Sequence, residues 1–144
     1  MAKAYSATLQ GKYSDVVLGR VVAFGDTGWN FKEVDMTFAK ANKLGLLVKA
    51  DGTPVAAAAD AADIYGVLVD RSSLPGVTEW PNATPEDGEV LPHVLAVRGL
   101  TLNAKALHYA DGAVIDAAGI AVLEGNANQV TDKVVGLEFI GSVL

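Results

Sequence analysis

The chain has 144 residues, which is the length of one domain, and it contains no cysteine. Its 11 basic and 17 acidic residues give a formal net charge of −6, and 51% of the residues are hydrophobic while only 19% are charged. This composition excludes intrinsic disorder and argues against nucleic-acid binding, because an acidic, weakly charged surface cannot neutralise phosphates. The absence of cysteine excludes disulfides, zinc–thiolate centres and a cysteine nucleophile.

The beginning of the chain differs from the rest in its hydrophobic pattern. Residues 1–15 have no clear periodicity and no apolar core of a signal peptide, and no apolar run of the sequence reaches the length of a membrane span. We therefore expect a protein made in a cytosol that does not enter a membrane. We interpret residues 1–15 as an extended N-terminal arm that becomes ordered on binding, and residues 16–144 as a single domain.

The first half of the domain contains three predicted strands. A valine-rich run at Val16–Phe24 ends at a glycine-rich turn, and a second run, Leu44–Lys49, is followed by Asp51-Gly52. An Asp-Gly pair between apolar runs predicts a hairpin with a type I′ turn, in which both central residues have a positive φ. The third strand is Ile64–Val69, where Gly66 allows a neighbouring backbone to approach closely.

Less regular segments separate these strands and follow them. The alanine-rich residues 56–62 are compatible with a helix and equally with a loop or an irregular strand. The segment 71–89 combines three prolines with four acidic residues, which predicts a long exposed loop. Loops of that length in a small domain usually contact a partner.

The second half of the domain mixes strands and short helices. A fourth strand is predicted at Val94–Leu102 and a fifth at Lys133–Ile140. Between them, Asn103 is expected to cap a single helical turn, and Asp116–Glu124 is expected to form a helix that begins with a capping aspartate. No internal repeat of fixed period is evident. The predicted fold class is mainly β with short helices, a compact β-rich α+β domain.

Residues that could carry catalysis do not form a known pattern. The two histidines, His93 and His108, lack metal-ligand spacing and a neighbouring acidic cluster, so we interpret them as packed or surface residues. Ser72 and Ser73 lie outside any nucleophile-elbow motif, and glycine-rich phosphate loops and calcium loops are absent from the sequence. We expect no catalytic residue, no metal site and no cofactor.

The apolar composition instead indicates that the folded chain could have apolar surface to bury against a partner. A chain of this length buries about two-thirds of its unfolded surface by itself, and the excess of aliphatic residues can be hidden in an oligomer or on a larger assembly. A monomer with a richer core fits the composition equally well.

Three segments resemble the head decoration proteins of tailed phages, of the lambda type. They are Lys49–Val55 (KADGTPV), Ala62–Asp70 (ADIYGVLVD) and Val94–Leu107 (VLAVRGLTLNAKAL). The shared pattern is a strand ending in a turn, an alanine- and acid-rich stretch, a GVL strand, and a V-R-G strand that runs into an N-x-x-A-L turn. The resemblance covers about residues 40–123.

This resemblance implies a structural protein of the virion. It implies a homotrimer on the outer capsid surface that binds the major capsid protein and stabilises the expanded head by bridging its subunits; a dimer at twofold positions is the alternative. A net charge of −6 suits the outside of the shell, because the packaged DNA inside has the same sign. Two alternative functions are a small-ligand or glycan-binding β module on the virion surface and an enzyme, and the lack of a catalytic motif disfavours the enzyme.

Six residues are the candidates for capsid or oligomer contact. Large aromatic side chains are favoured anchors at interfaces, although ordinary packing would also account for them. Arg98 lies in an apolar strand, so it is expected to pair with an acidic residue, by default within the subunit. The candidates are Tyr5, Leu9 and Tyr13 on the arm, Trp80 and Pro81 on the loop, and Arg98.

Overall fold

A computed structural model describes residues 16–20, 27–69 and 86–132. The strands in these ranges are β1 (Val17–Arg20), β2 (Phe31–Thr37), β3 (Leu47–Val48), β4 (Gly66–Leu68), β5 (Val90–Ala96), β6 (Leu100–Asn103) and β7 (Gln129–Thr131). The helices are α1 (Thr27–Asn30), a 3₁₀ helix at Ala58–Asp63, a 3₁₀ turn at Ala104–Ala106, and α2 (Ala117–Gly125). The predictions for residues 1–15, 21–24, 70–85 and 133–140 lie outside the described residues.

The strands form two sheets, which confirms the predicted fold class of mainly β with short helices. Sheet A has the order β1-β6-β7 and sheet B the order β2-β5-β4-β3. All of the strand pairs are antiparallel except β6 and β7, which are parallel and are connected through α2. No helix in the described ranges is long and apolar enough to cross a membrane.

Three predicted strands agree with the structure over part of their length. β1, β3 and β4 lie within the predicted runs, and β4 confirms the close approach expected at Gly66. A Cβ atom at Gly66 would lie 2.9 Å from the carbonyl oxygen of Ala96 on the neighbouring strand β5. A larger residue would therefore push β4 away from β5.

The prediction of a single strand over Val94–Leu102 was wrong. β5 ends at Ala96 in sheet B, and β6 begins at Leu100 in sheet A. Gly99 makes the change of direction with a φ of +71°, a conformation that residues with a Cβ rarely adopt. A Cβ at Gly99 would also meet the ring of Trp29, so the turn packs directly against α1.

Strand β2 was not predicted, although its sequence alternates. Val34 and Met36 point to one face of sheet B, while Glu33, Asp35 and Thr37 are exposed on the other. This period of two is the pattern of a strand with one covered face. It was not recognised because charged residues occur on both faces of the strand. β2 pairs with β5 along its whole length, from Phe31 opposite Ala96 to Thr37 opposite Val90.

A hairpin does follow β3, but its turn differs from the expected type I′. The amide of Lys49 donates to the Thr53 carbonyl at 2.8 Å, and the amide of Gly52 donates to the Lys49 carbonyl at 3.0 Å. Gly52 has a φ of +88°, whereas Asp51 is not among the described residues with a positive φ. This is a three-residue loop with a left-handed glycine at its third position.

A second hairpin repeats this turn, a short duplication that the sequence reading did not identify. The amide of Tyr109 donates to Ala113 at 2.9 Å and that of Gly112 to Tyr109 at 3.0 Å. In both turns the aspartate side chain accepts a hydrogen bond from the amide two residues later, at 2.9 Å. Asp51 accepts from Thr53, and Asp111 accepts from Ala113. The two copies share the sequence Ala-Asp-Gly, at 50–52 and 110–112.

The two hairpins are joined by main-chain hydrogen bonds. The amide of Ala110 donates to Val55 at 2.9 Å, that of Asp111 to Ala56 at 3.1 Å, and that of Leu47 to the His108 carbonyl at 2.9 Å. These bonds pair backbone donors and acceptors of the two hairpins with each other. The paired hairpins therefore act as one unit at the end of sheet B.

Both predicted helix caps are confirmed. The Asn103 side chain accepts from the Lys105 amide at 3.1 Å, and the Asp116 carboxylate accepts from the Gly119 amide at 3.0 Å at the start of α2. The alanine-rich segment forms a 3₁₀ helix at Ala58–Asp63, so the helical alternative was correct there, and this helix contacts α2.

Sheet B separates two clusters of buried apolar side chains. The larger cluster fills the space between sheet A, α2 and the paired hairpins, and it includes Leu47, Val67, Ala96, Leu102 and Leu123. The smaller cluster lies on the opposite face of sheet B: Met36, Leu46, Val48, Leu68, Leu95 and Val97. Burial on both faces explains why β3 and β4 are almost continuously hydrophobic.

Candidate functional site

One of the six candidate contact residues falls in the described ranges. Arg98 lies in the turn between β5 and β6 and is partly exposed. The single ion pair between described side chains joins Lys49 to Asp63 at 3.7 Å, so the expected pairing of Arg98 with an acidic residue stays a prediction. Tyr5, Leu9, Tyr13, Trp80 and Pro81 lie outside the described residues.

Two buried asparagines hold the turn that carries Arg98. The Asn30 side-chain amide donates to the Arg98 carbonyl at 3.1 Å. Asn128 accepts from the Leu100 amide at 3.2 Å and donates to the carbonyls of Val97 and Leu123, at 2.9 and 3.0 Å. Asn128 therefore connects the start of β6 to the end of α2, and the turn has a fixed geometry.

The two histidines make local structural contacts. His93 is buried on β5, where its Nδ1 lies 2.8 Å from the Leu91 carbonyl and its ring stacks on Phe38 with the centroids 6.4 Å apart. His108 is partly buried, and its Nδ1 lies 3.4 Å from the Ala106 carbonyl. Burial lowers the pKa of His108, so the ring stays neutral at pH 7.

Tyr109 and Asp116 form a close polar pair of side chains. The buried Tyr109 hydroxyl donates to the Asp116 carboxylate at 2.6 Å. Burial, together with this hydrogen bond, raises the pKa of Tyr109 to about 12, and the bond lowers the pKa of Asp116. Because Asp116 also caps α2, the pair fastens the second hairpin to the helix and keeps the tyrosine protonated.

The acidic and histidine side chains of the described residues do not form a cluster. Within residues 16–20, 27–69 and 86–132, no group of three or more of them is close enough together to hold a metal ion. Most of the hydrogen-bonded side chains described above cap helices or hold turns, and His93 contacts a carbonyl of its own strand.

Exposed apolar side chains form the other surface feature. Val90 and Val94 on β5 are 66% and 36% exposed, and Val114 on the second hairpin is 56% exposed. Val90 and Val94 point to the same face of sheet B as the exposed Pro92 between them, since side chains alternate along a strand. Sequence reasoning missed this surface because it placed the start of the strand at Val94.

A family model matches the chain over residues 1–144, and the description of that family is "Bacteriophage PhiTE minor capsid decoration protein". No curated protein and no solved structure matches the chain. The match includes the first forty residues, which the resemblance noted from the sequence did not cover.

Proposed function

Because the chain belongs to the family of the bacteriophage PhiTE minor capsid decoration protein, we propose that it binds the outer surface of a phage head and stabilises the expanded shell by bridging major capsid protein subunits. The family match over the whole chain is the observation that carries this proposal. A virion structural role and a location on the capsid surface follow from the family; bridging and stabilisation are our extension of them.

The charge of the chain supports an external location. A subunit with a net charge of −6 is repelled by DNA on the inside of the shell but not by solvent on the outside. Several polar side chains, such as Asn103 and Asp116, cap helices, which is a structural use. The proposed role needs exposed surface rather than a reactive centre.

Oligomerisation is the second part of the proposal. A contact that buries about 1,000 Å² of mostly apolar surface has a gross favourable free energy of about 25 kcal/mol. The loss of translational and rotational freedom and the ordering of side chains remove most of it. A trimer joins three such contacts, so dissociation of one contact does not release the protein from the shell.

The test of bridging compares phage heads assembled with and without the chain. We expect heads without it to release their DNA at a lower temperature or after a smaller drop in external osmotic pressure, and added purified protein to restore their stability. Light scattering coupled to size-exclusion chromatography measures the oligomer, for which we expect a trimer. Bound protein that leaves the stability of the heads unchanged would contradict bridging.

A further inference from the structure

One face of sheet B is covered at one end and open at the other. On this face, Phe31 and its partner Ala96 pack against the larger core cluster. Beyond them the same face continues through three pairs of directly opposed residues, all of which are exposed: Glu33 and Val94, Asp35 and Pro92, Thr37 and Val90. We call these six residues the β2–β5 face.

The apolar and the acidic residues of this face lie on different strands. β5 contributes the apolar stripe of Val90, Pro92 and Val94, while β2 contributes the carboxylates of Glu33 and Asp35. Opposed residues in an antiparallel pair have Cβ atoms about 5 Å apart, so the carboxylates border the stripe directly. Lys32, the neighbouring cation in sequence, belongs to the opposite face of the sheet because side chains alternate.

The pairing of β4 with β5 ends at the first residue of the stripe, Val94. Its last pair with β5 is Leu68 opposite Leu95, followed by a hydrogen bond from the Val69 amide to the Val94 carbonyl at 3.1 Å. Pro92 lies beyond this point, at a position where the missing N–H of proline costs no hydrogen bond with β4.

We propose that the β2–β5 face docks on the capsid shell, against a segment of the major capsid protein that presents lysine or arginine beside apolar side chains. This inference rests on the proposed function, since it names the surface with which the chain would decorate the head. Covering the apolar stripe removes it from water, which lowers the free energy of the complex. Glu33 and Asp35 have no cationic partner among the described residues, and a carboxylate that is desolvated at an interface needs one.

The same charges argue against a twofold contact of this face with the same face of a second copy. A twofold contact of this face with itself would bring Glu33 and Asp35 of one copy towards those of the other, and like charges in an interface are repulsive. A cationic partner converts this repulsion into attraction, and it makes the attachment sensitive to salt.

The apolar half of the proposal is tested with valine-to-threonine substitutions, which keep the shape of the side chain and its preference for strands. The double variant Val90→Thr, Val94→Thr is compared with the wild type and with Val114→Thr, an exposed valine outside the β2–β5 face. The measurement is the dissociation constant from purified expanded heads that lack the chain, obtained by cosedimentation. We expect roughly tenfold weaker binding for the double variant and unchanged binding for V114T.

The acidic half is tested by charge reversal. Glu33→Lys is compared with Glu124→Lys, which makes the same change of charge at an exposed position on α2. We expect E33K to weaken binding to the heads at least tenfold at low salt, with a smaller difference at high salt, and E124K to bind as the wild type does. Equal effects of the two variants would show that only net charge matters and would overturn the choice of this face.

The remaining outcomes separate this inference from the proposed function. If the wild type does not bind heads, the proposed function fails. If it binds and the double valine variant binds equally well, only the docking face is wrong. A smaller oligomer for the double variant would assign the face to a second copy of the chain, and a large loss of thermal stability in the free protein would show that the chain itself covers it; each result would overturn the inference.

Discussion

At the scale of single residues, the two hairpins show the same backbone in different surroundings. Gly52 and Gly112 have φ values of +88° and +90°, so both positions disfavour any residue with a Cβ. A Cβ at Gly112 would meet no heavy atom within 4 Å, but one at Gly52 would lie 2.2 Å from the carbonyl oxygen of Asp35 on β2. The first hairpin therefore packs on the opposite edge strand of sheet B, and the second is open.

This difference predicts unequal effects of the same substitution. Gly112→Ala should lower the free energy of unfolding by about 1–2 kcal/mol, which is the cost of a left-handed conformation for alanine. Gly52→Ala should cost about 3 kcal/mol or more, because either the turn or β2 must also move. Urea denaturation of the two variants measures both values, and equal losses would contradict the contact between the first hairpin and β2.

The Tyr109–Asp116 pair predicts a dependence of stability on pH. The pKa of Tyr109 is about 12 in the folded protein and about 10 when unfolded, so its contribution is present below pH 10 and is lost as the pH rises towards 12. The lowered pKa of Asp116 has the opposite consequence: its contribution is present above the ordinary pKa of 3.8 and is lost as the pH falls through the folded value.

The test is the unfolding temperature of the wild type and of Tyr109→Phe across this range. We expect the variant to unfold several degrees lower at pH 8, because Asp116 loses its hydroxyl donor. The difference should shrink between pH 10 and pH 12, since only the wild type has this tyrosine to ionise. A difference that stays constant up to pH 12 would contradict the raised pKa.

At the scale of elements, short-range patterns in the sequence correctly predicted the helix caps and the shorter strands. Asn103 and Asp116 are capping residues placed before helix-forming residues, and the Asp-Gly pair marked the first turn; each of these signals acts within a few residues. The split between β5 and β6 was not predicted, because Val94–Leu102 is mostly apolar and Arg98-Gly99 in its middle is too weak a signal to mark the end of a strand. The bend at Gly99 is imposed by distant residues, namely Trp29 and Asn128.

The proposed docking surface, the β2–β5 face, was harder to predict from the sequence than the fold. Exposure of Val90 and Val94 depends on where β4 ends and on which face of sheet B the larger core covers, and neither is encoded nearby in the sequence. Arg98 stood out as a lone charge in an apolar run, but that run spans two sheets. Its carbonyl has a partner in Asn30, whereas a partner for its side chain is still a prediction.

The Asn128 side chain connects several elements, so its removal should have a clear effect on stability. Replacing it with alanine would remove the side-chain partner of the Leu100 amide and of the Val97 carbonyl in a buried site, whereas the Leu123 carbonyl would keep the Asn126 amide as a donor. We expect Asn128→Ala to lower the free energy of unfolding by about 2–3 kcal/mol, and Asn126→Ala, at an exposed position nearby, to have little effect. Chemical denaturation measures both, and a neutral N128A would show that the turn does not depend on this side chain.

At the scale of the whole molecule, we predict that the proposed arm can be removed without unfolding the domain. Residues 1–11 show no core periodicity, so deleting Met1–Gly11 should leave the unfolding temperature nearly unchanged and weaken attachment to the head. Cosedimentation of the truncated and full-length chains with heads measures the attachment. Equally tight binding of the two would show that the arm, with Tyr5 and Leu9, does not contact the shell.

The arm and the β2–β5 face are two proposed contacts of different character. The first has aromatic side chains on a segment expected to become ordered on binding, and the second is a preformed surface whose binding costs little ordering. If both contact the shell, loss of either weakens the attachment without abolishing it, because the other contact and the further subunits of an oligomer keep the protein in place.

The most direct measurement of the central claim is the binding of the purified chain to DNA-filled heads that were assembled without it. Since the DNA and the closed shell leave only the exterior accessible, saturable binding with a fixed number of copies per head, located on the outer surface by electron cryo-microscopy, is the predicted result. A chain that remains in the supernatant at all concentrations, or that is incorporated only when it is present during assembly and lies inside the shell, would contradict the account.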